Sequence, residues 1–145
     1  MAIQIPMDEL QKVIYMGNEI EVWNVAGTQW KKSKSWKTIW TGSLSKTMRN
    51  AGTGSFSLTP QVWYTTATRI RITGSSKEGV NAEQAFTYET TATFANNSYS
   101  FYLTVGGSVT DYAQFKTLTT SSLDYQKYGS SGILVVKITK IELLV

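Results

Sequence analysis

The chemistry open to this chain depends mainly on its acidic side chains, because it contains neither histidine nor cysteine. Without histidine, Ser-His-Asp and Cys-His nucleophilic sites are excluded. A glycosidase needs two carboxyl groups about 5–9.5 Å apart, and Glu89 could meet Asp111 or Asp124 in the folded chain, although no spacing favours that pairing. The Asp-x-Asp spacing and the thiolates typical of metal sites are also missing. We therefore expect no catalytic residues, no bound metal and no cofactor.

Aromatic and cationic side chains are better candidates for contact with a ligand or a partner. Exposed tryptophan rings on a β-sheet can stack on sugar rings, whereas buried ones fill the core. Trp30 lies in an aperiodic segment, and an extended chain would point Trp63 and Tyr64 to opposite faces. Arg69 and Arg71 alternate with isoleucine, so they should share a strand face that either binds an anion or only keeps the surface soluble. These five residues are the candidate contacts, and core packing is the competing interpretation for Trp63.

The net charge of +4 is mild, and four lysines fall between positions 31 and 37. Such a basic patch either attracts a polyanion, such as nucleic acid or an anionic wall polymer, or is a solvated loop. Aromatic nucleic-acid binders interleave cations with rings along one surface, a pattern that these lysines do not follow, so we expect no nucleic-acid partner. No apolar run approaches the ~18 residues of a membrane helix, and the N-terminus has no basic leader, so we expect neither membrane insertion nor a secretory signal.

Side chains alternate between apolar and polar in many short segments, which is the period of a half-buried β-strand. Gly, Asn and Ser turns separate the segments, and Asn96-Asn97 is the clearest of these turns. The predicted strands are 36–45, 54–59, 61–66, 67–73, 84–95, 98–105, 111–119 and 132–145. Eight short strands of this kind predict an all-β fold, an antiparallel two-sheet β-sandwich of jelly-roll-like topology.

The N-terminal part is expected to be a separate attachment segment. Two apolar runs flank Gly17-Asn18-Glu19, which predicts a β-hairpin over 10–23, with a short helix from Asp8 as the alternative. Residues 24–35 lose periodicity and are interpreted as a linker. The predicted organisation is therefore a hairpin and linker at 1–34, followed by the sandwich domain at 35–145.

Three motifs follow one another in the centre of the chain: Ile39-Trp40-Thr41-Gly42, Gly54-Ser55-Phe56-Ser57-Leu58-Thr59 and Thr68-Arg69-Ile70-Arg71-Ile72. Their order resembles a β domain of small tail-tip and baseplate proteins of siphophages that infect Gram-positive bacteria. The opening at 12–19 and the closing strand at 131–141 are also similar to those of such proteins. The resemblance implies a β-sandwich like the shoulder domain of lactococcal phage receptor-binding proteins, a domain to which no catalytic residue belongs.

The function that the resemblance implies is that of a virion structural protein of the distal tail or baseplate, assembled in the cytoplasm of the bacterial host and carried at the tail tip. Its expected partners are other phage tail proteins, with host wall polysaccharide or teichoic acid as a surface target during adsorption. The alternative function is a carbohydrate-binding module that recognises cell-wall glycans, with Trp30, Trp63 and Tyr64 as the stacking platform.

Overall fold

A computed structural model describes the backbone at 14–15, 18–19, 22–25, 27–31, 34–107, 109–130 and 132–145. The chain divides into two compact units, Met1–Lys34 and Ser35–Val145. In its described residues the chain contains no helix with the length and apolar character needed to cross a membrane.

The described residues of the N-terminal unit form two short hairpins. Strand β1 (Ile14–Tyr15) pairs with β2 (Asn18–Glu19), and β3 (Val22–Val25) pairs with β4 (Thr28–Lys31). The second hairpin corrects the prediction of an aperiodic linker: Gly27 supplies a φ of +81° in its turn, and Trp30 lies in β4 opposite Trp23 instead of in a loop. Asn18 and Glu19, which were predicted to form the first turn, are paired strand residues, whereas the alternative helix from Asp8 lies outside the described residues.

The Ser35–Val145 unit confirms the predicted all-β sandwich, since it consists of two antiparallel sheets of four and five strands. The four-stranded sheet has the order β5 (Trp36–Met48), β13 (Leu134–Leu144), β7 (Arg69–Glu78) and β8 (Gln84–Thr91). The five-stranded sheet has the order β6 (Gly52–Ser57), β12 (Ser122–Tyr128), β11 (Tyr112–Leu118), β10 (Ser98–Val105) and β9 (Thr93–Ala95).

The first two strands of the domain pair with its last two strands. β5 pairs with the last strand and β6 with the last but one, while β9 to β12 run as a meander. The chain changes sheets at the buried Ala92, between β8 and β9. The predicted Asn96-Asn97 turn is confirmed: both residues have positive φ, 51° and 59°, and Ala95 pairs with Ser98 across it. This is the conformation of a tight two-residue hairpin.

Alternate residues of the strands meet between the sheets and form one core. β10 shows the pattern most clearly, because Tyr99, Phe101, Leu103 and Val105 are buried while Ser100, Tyr102 and Thr104 are exposed. Aromatic rings pack edge to face in the centre, with ring centroids of Phe56 and Phe115 6.0 Å apart. Burial of this apolar surface is the main stabilising contribution to the domain.

Two predicted strands differ from the structure in kind, and one strand of the structure was not predicted. Residues 61–66 are not a strand, although Val, Trp, Tyr and Thr favour one, because the segment pairs with no sheet edge there and packs irregularly on the core. The predicted strand 84–95 is divided at Ala92. Strand β12 was missed altogether, because one of its inward-facing positions is a lysine, Lys127.

The inward Lys127 forms an ion pair with Asp111, and both side chains are 1% exposed. The Lys127 ammonium also donates to the backbone carbonyl oxygen of Gly129 at 2.8 Å and, more weakly, to that of Tyr128 at 3.4 Å. Three acceptors satisfy the three N–H donors of the ammonium. The pair therefore joins the segment before β11 to the loop after β12 at one end of the sandwich.

Candidate ligand-binding face

The outer side of the five-stranded sheet carries a cluster of aromatic and hydrogen-bonding side chains. Each member alternates with a residue that points to the core, so the strands themselves place the cluster on the surface. We name this cluster the tyrosine face. Its members are Tyr102 on β10, Tyr112, Gln114 and Lys116 on β11, and Gln126 and Tyr128 on β12.

The tyrosine face is ordered by contacts between its own side chains. Tyr112 and Tyr128 are opposite each other on neighbouring strands, and their rings stack with centroids 4.9 Å apart. The ammonium of Lys116 lies between two rings, 5.9 Å from the centroid of Tyr102 and 5.6 Å from that of Tyr128. It also donates to Gln126 Oε1, which accepts a second bond from the Tyr128 hydroxyl at 3.0 Å.

Two shallow grooves cross this side of the sheet and meet at Lys116 and Thr117. The first has a volume of about 480 Å³ and is lined by Thr90, Thr91, Thr93, Ser100, Tyr102 and Lys116. The second has a volume of about 390 Å³ and is lined by Thr53, Ser55, Lys116, Asp124 and Gln126. Both grooves are open to solvent. Their hydroxyl and amide groups can bind a polar ligand by hydrogen bonds.

The candidate contacts Trp63 and Tyr64 lie in the irregular segment between β6 and β7. Both are half-buried and pack against the core, and the Trp63 ring lies 5.6 Å from Tyr99 and 6.4 Å from Phe94. The Tyr99 hydroxyl accepts a hydrogen bond from the Ala67 N–H at 3.0 Å and donates one to the Tyr64 carbonyl oxygen at 2.7 Å. This buried tyrosine thus fixes the backbone of the segment to the sandwich.

Removing that hydroxyl is expected to weaken the attachment. Tyr99→Phe leaves the buried Ala67 N–H without its acceptor, which should lower the free energy of unfolding by about 1–3 kcal/mol. Urea unfolding followed by tryptophan fluorescence measures the change, and hydrogen exchange at the Ala67 amide should accelerate. Tyr102→Phe, at an exposed ring, is the matched control and should change stability by less than about 0.5 kcal/mol. Equal effects of the two variants would contradict this role of Tyr99.

Arg69 and Arg71 share the outer side of the four-stranded sheet, as their alternation predicts. Both bind Glu89 on the neighbouring strand, each with an N···O distance of 2.8 Å. The Arg71 guanidinium also lies 3.9 Å from the ring centroid of Trp36 and 3.9 Å from a carboxylate oxygen of Glu142. These two arginines therefore already have anionic partners within the sheet, on the opposite side of the sandwich from the tyrosine face.

The Glu89 network makes a pH-dependent contribution to stability. The hydrogen bond from Arg71, together with the charges of both arginines, lowers the pKa of Glu89 below its ordinary value of 4.5, against the opposing effect of desolvation. A carboxyl with a lowered pKa stabilises the folded state above its ordinary pKa, and the stabilisation disappears as the pH falls through the folded-state pKa. The urea midpoint of the wild type should therefore exceed that of Glu89→Gln at about pH 7, and the gap should close towards about pH 3. A constant gap would contradict this assignment.

The carboxylates considered for catalysis do not converge. Glu89 lies on the four-stranded sheet, Asp124 lines a groove of the five-stranded sheet, and Asp111 is buried beside Lys127. Within the described ranges, no group of three or more Asp or Glu side chains is arranged to bind a metal ion.

Most of the tyrosine face was absent from the sequence prediction. The sequence analysis made no prediction for Tyr102, although its apolar neighbours Phe101 and Leu103 are a signal for an outward ring. It also omitted β12 and therefore could not place Gln126 or Tyr128 beside Lys116. Comparisons with models of protein families, with curated proteins and with solved structures find no match to the chain.

Proposed function

We propose that this chain is a non-enzymatic structural protein of a phage virion, located in the distal tail or baseplate. There it docks to other tail proteins or assists adsorption to the host surface. The observation that carries the proposal is the order of the motifs at 39–42, 54–59 and 68–72, which resembles that of such proteins, together with the β-sandwich fold that the resemblance implies. A small N-terminal unit precedes the sandwich. The small unit suits attachment, and the sandwich suits presentation of a surface.

The distribution of charge supports a docking role over a chemical one. The acidic groups Glu89, Asp111 and Glu142 are each within ion-pair distance of a cation, so they contribute to the architecture of the sandwich. The outer side of the five-stranded sheet carries polar and aromatic side chains, and aromatic residues are enriched at surfaces that contact partners.

The test is the location of the protein in particles. Virions of a phage whose genome encodes the chain are purified and are examined by mass spectrometry and by electron microscopy with antibodies against residues 35–145. The chain should co-purify with tails, and the antibodies should label the tail tip, while a cytoplasmic host enzyme serves as the negative control. Absence of the chain from purified particles would refute the proposal.

A carbohydrate-binding module is the second candidate function, and the tyrosine face favours it. The platform differs from the one expected from Trp30, Trp63 and Tyr64, because the two latter rings pack against the core. Outward tyrosines beside amides and hydroxyl-lined grooves offer both stacking and hydrogen bonding to a sugar.

A further inference from the structure

We infer that the tyrosine face binds a linear anionic polysaccharide, of which a sugar ring stacks on Tyr102 and whose carboxylate or phosphate groups bind Lys116. The inference names a ligand for the adsorption role proposed above and rests on that role for its biological source. Binding is measured on the purified chain, so a failure of this inference is distinguishable from a failure of the virion location.

The exposure of Tyr102 is the first observation. Its side chain is 69% exposed although both of its neighbours, Phe101 and Leu103, are 4% exposed. A tyrosine ring presents a flat apolar surface with a polar edge, and such rings are enriched where proteins contact ligands. The C–H groups of a sugar ring can cover this surface while the sugar hydroxyls remain free for hydrogen bonds.

The second observation is the supply of hydrogen-bonding groups around the ring. Gln126 Oε1 already accepts bonds from Lys116 and Tyr128, whereas its amide nitrogen, with two N–H donors, makes no hydrogen bond within the described part of the chain. The first groove adds the hydroxyl groups of Thr90, Thr93 and Ser100. Hydroxyl and amide groups of this kind match the alternating donors and acceptors of a sugar.

The charge of Lys116 selects the anionic class of glycan. Among the residues that the structure describes, no carboxylate lies within ion-pair distance of its ammonium, which instead contacts two tyrosine rings and an amide oxygen. A half-buried cation without an anionic partner attracts an oxyanion more strongly than a fully hydrated cation does. Asp124 lines only the second groove, so the anionic group belongs beside Lys116 in the first groove.

The shape of the surface indicates a polymer. The two grooves share Lys116 and Thr117 and together run from β9 to β6, across all five strands. At the usual spacing of neighbouring strands this path is roughly 19 Å long. A single sugar would occupy only part of it, whereas several linked units would fill it.

Isothermal titration of the full chain with three soluble polymers tests the inference. The probes are polygalacturonate, a teichoic acid with a hexose ring in its phosphodiester-linked repeating unit, and neutral dextran, with a single-stranded oligothymidylate as a polyanion that contains aromatic bases. We expect saturable binding to at least one of the two anionic glycans and none to dextran. Binding to polygalacturonate alone identifies the carboxylate, and binding to teichoic acid alone identifies the phosphate, and either result supports the inference.

Two substitutions locate the site. Tyr102→Ala and Lys116→Ala should each weaken the glycan affinity by at least about tenfold. The matched controls on the other sheet, Tyr88→Ala and Lys137→Ala, should leave it within about twofold. The urea midpoint of each variant confirms that it is folded. The inference is overturned by absence of binding to both anionic glycans, by equal binding of dextran or oligothymidylate, or by an affinity that Lys137→Ala lowers and Lys116→Ala does not.

Discussion

Lys127→Met is expected to lower the free energy of unfolding by about 3–5 kcal/mol, because it leaves Asp111 buried without its counter-charge. Both side chains are 1% exposed, so water cannot replace the lost ammonium without opening the end of the sandwich. The backbone carbonyl oxygen of Gly129 also loses its donor. A loss of this size is a large part of the roughly 5–15 kcal/mol that stabilises an ordinary domain.

Urea unfolding followed by the fluorescence of the five tryptophans measures the effect. Lys46→Met, at an exposed position on β5, is the matched control and should change stability by less than about 0.5 kcal/mol. The double variant Lys127→Met with Asp111→Ala removes both charges and should recover part of the loss, since no uncompensated charge stays buried. If Lys127→Met and Lys46→Met have equal effects, the ion pair does not stabilise the domain.

The same ion pair explains why one strand could not be recognised from sequence. In 122–128 the inward positions are Leu123, Tyr125 and Lys127, and a lysine at the last of them breaks the apolar alternation. Only the fold brings Asp111 to that lysine, across a separation of 16 residues. Sequence patterns predict burial from the polarity of a side chain. A buried charged residue whose partner is distant in sequence is therefore wrongly predicted to lie on the surface.

At 61–66 the sequence predicted a strand that the structure does not contain. Val62, Trp63 and Tyr64 have side chains that favour strands, yet strand propensity expresses packing on a pleated surface and requires a neighbouring edge. Here the segment connects the two sheets, and hydrogen bonds from outside it fix its backbone, including one from the Tyr99 hydroxyl to the Tyr64 carbonyl oxygen. By contrast, the Asn96-Asn97 turn was predictable because its backbone conformation depends on local residues alone.

For the tyrosine face, too, neighbouring residues in the sequence indicate some of the positions, whereas other positions depend on contacts between strands. That Tyr102 points outward follows from its buried neighbours in sequence. That it lies beside Lys116, and that Lys116 lies beside Gln126, follows from the register of three strands. The pairing of β10 with β11 and that of β11 with β12 each contain a register shift. A shift of a whole strand by one residue would turn all of its side chains to the other face of the sheet. The site could therefore not be assembled from the sequence.

Substitutions at two adjacent residues of β11 should separate an effect on stability from an effect on glycan binding. Phe115→Ala is expected to lower the free energy of unfolding by about 3–5 kcal/mol, because it removes a fully buried ring and leaves a cavity. Its edge-to-face contact with Phe56, at 6.0 Å between ring centroids, is lost as well. Lys116→Ala, one position along and on the opposite face, should change stability by less than about 0.5 kcal/mol while reducing glycan affinity.

Urea midpoints and titrations on the same protein preparations measure both effects. Phe115→Leu keeps most of the apolar volume and should lose less stability than Phe115→Ala, which gives a measurable folded protein if the alanine variant is largely unfolded. Since folded Phe115→Leu keeps the outer face of β11 intact, its glycan affinity should remain close to that of the wild type. A loss of affinity in folded Phe115→Leu as large as that in Lys116→Ala would mean that binding reports the integrity of the sheet as a whole and not contact with the tyrosine face.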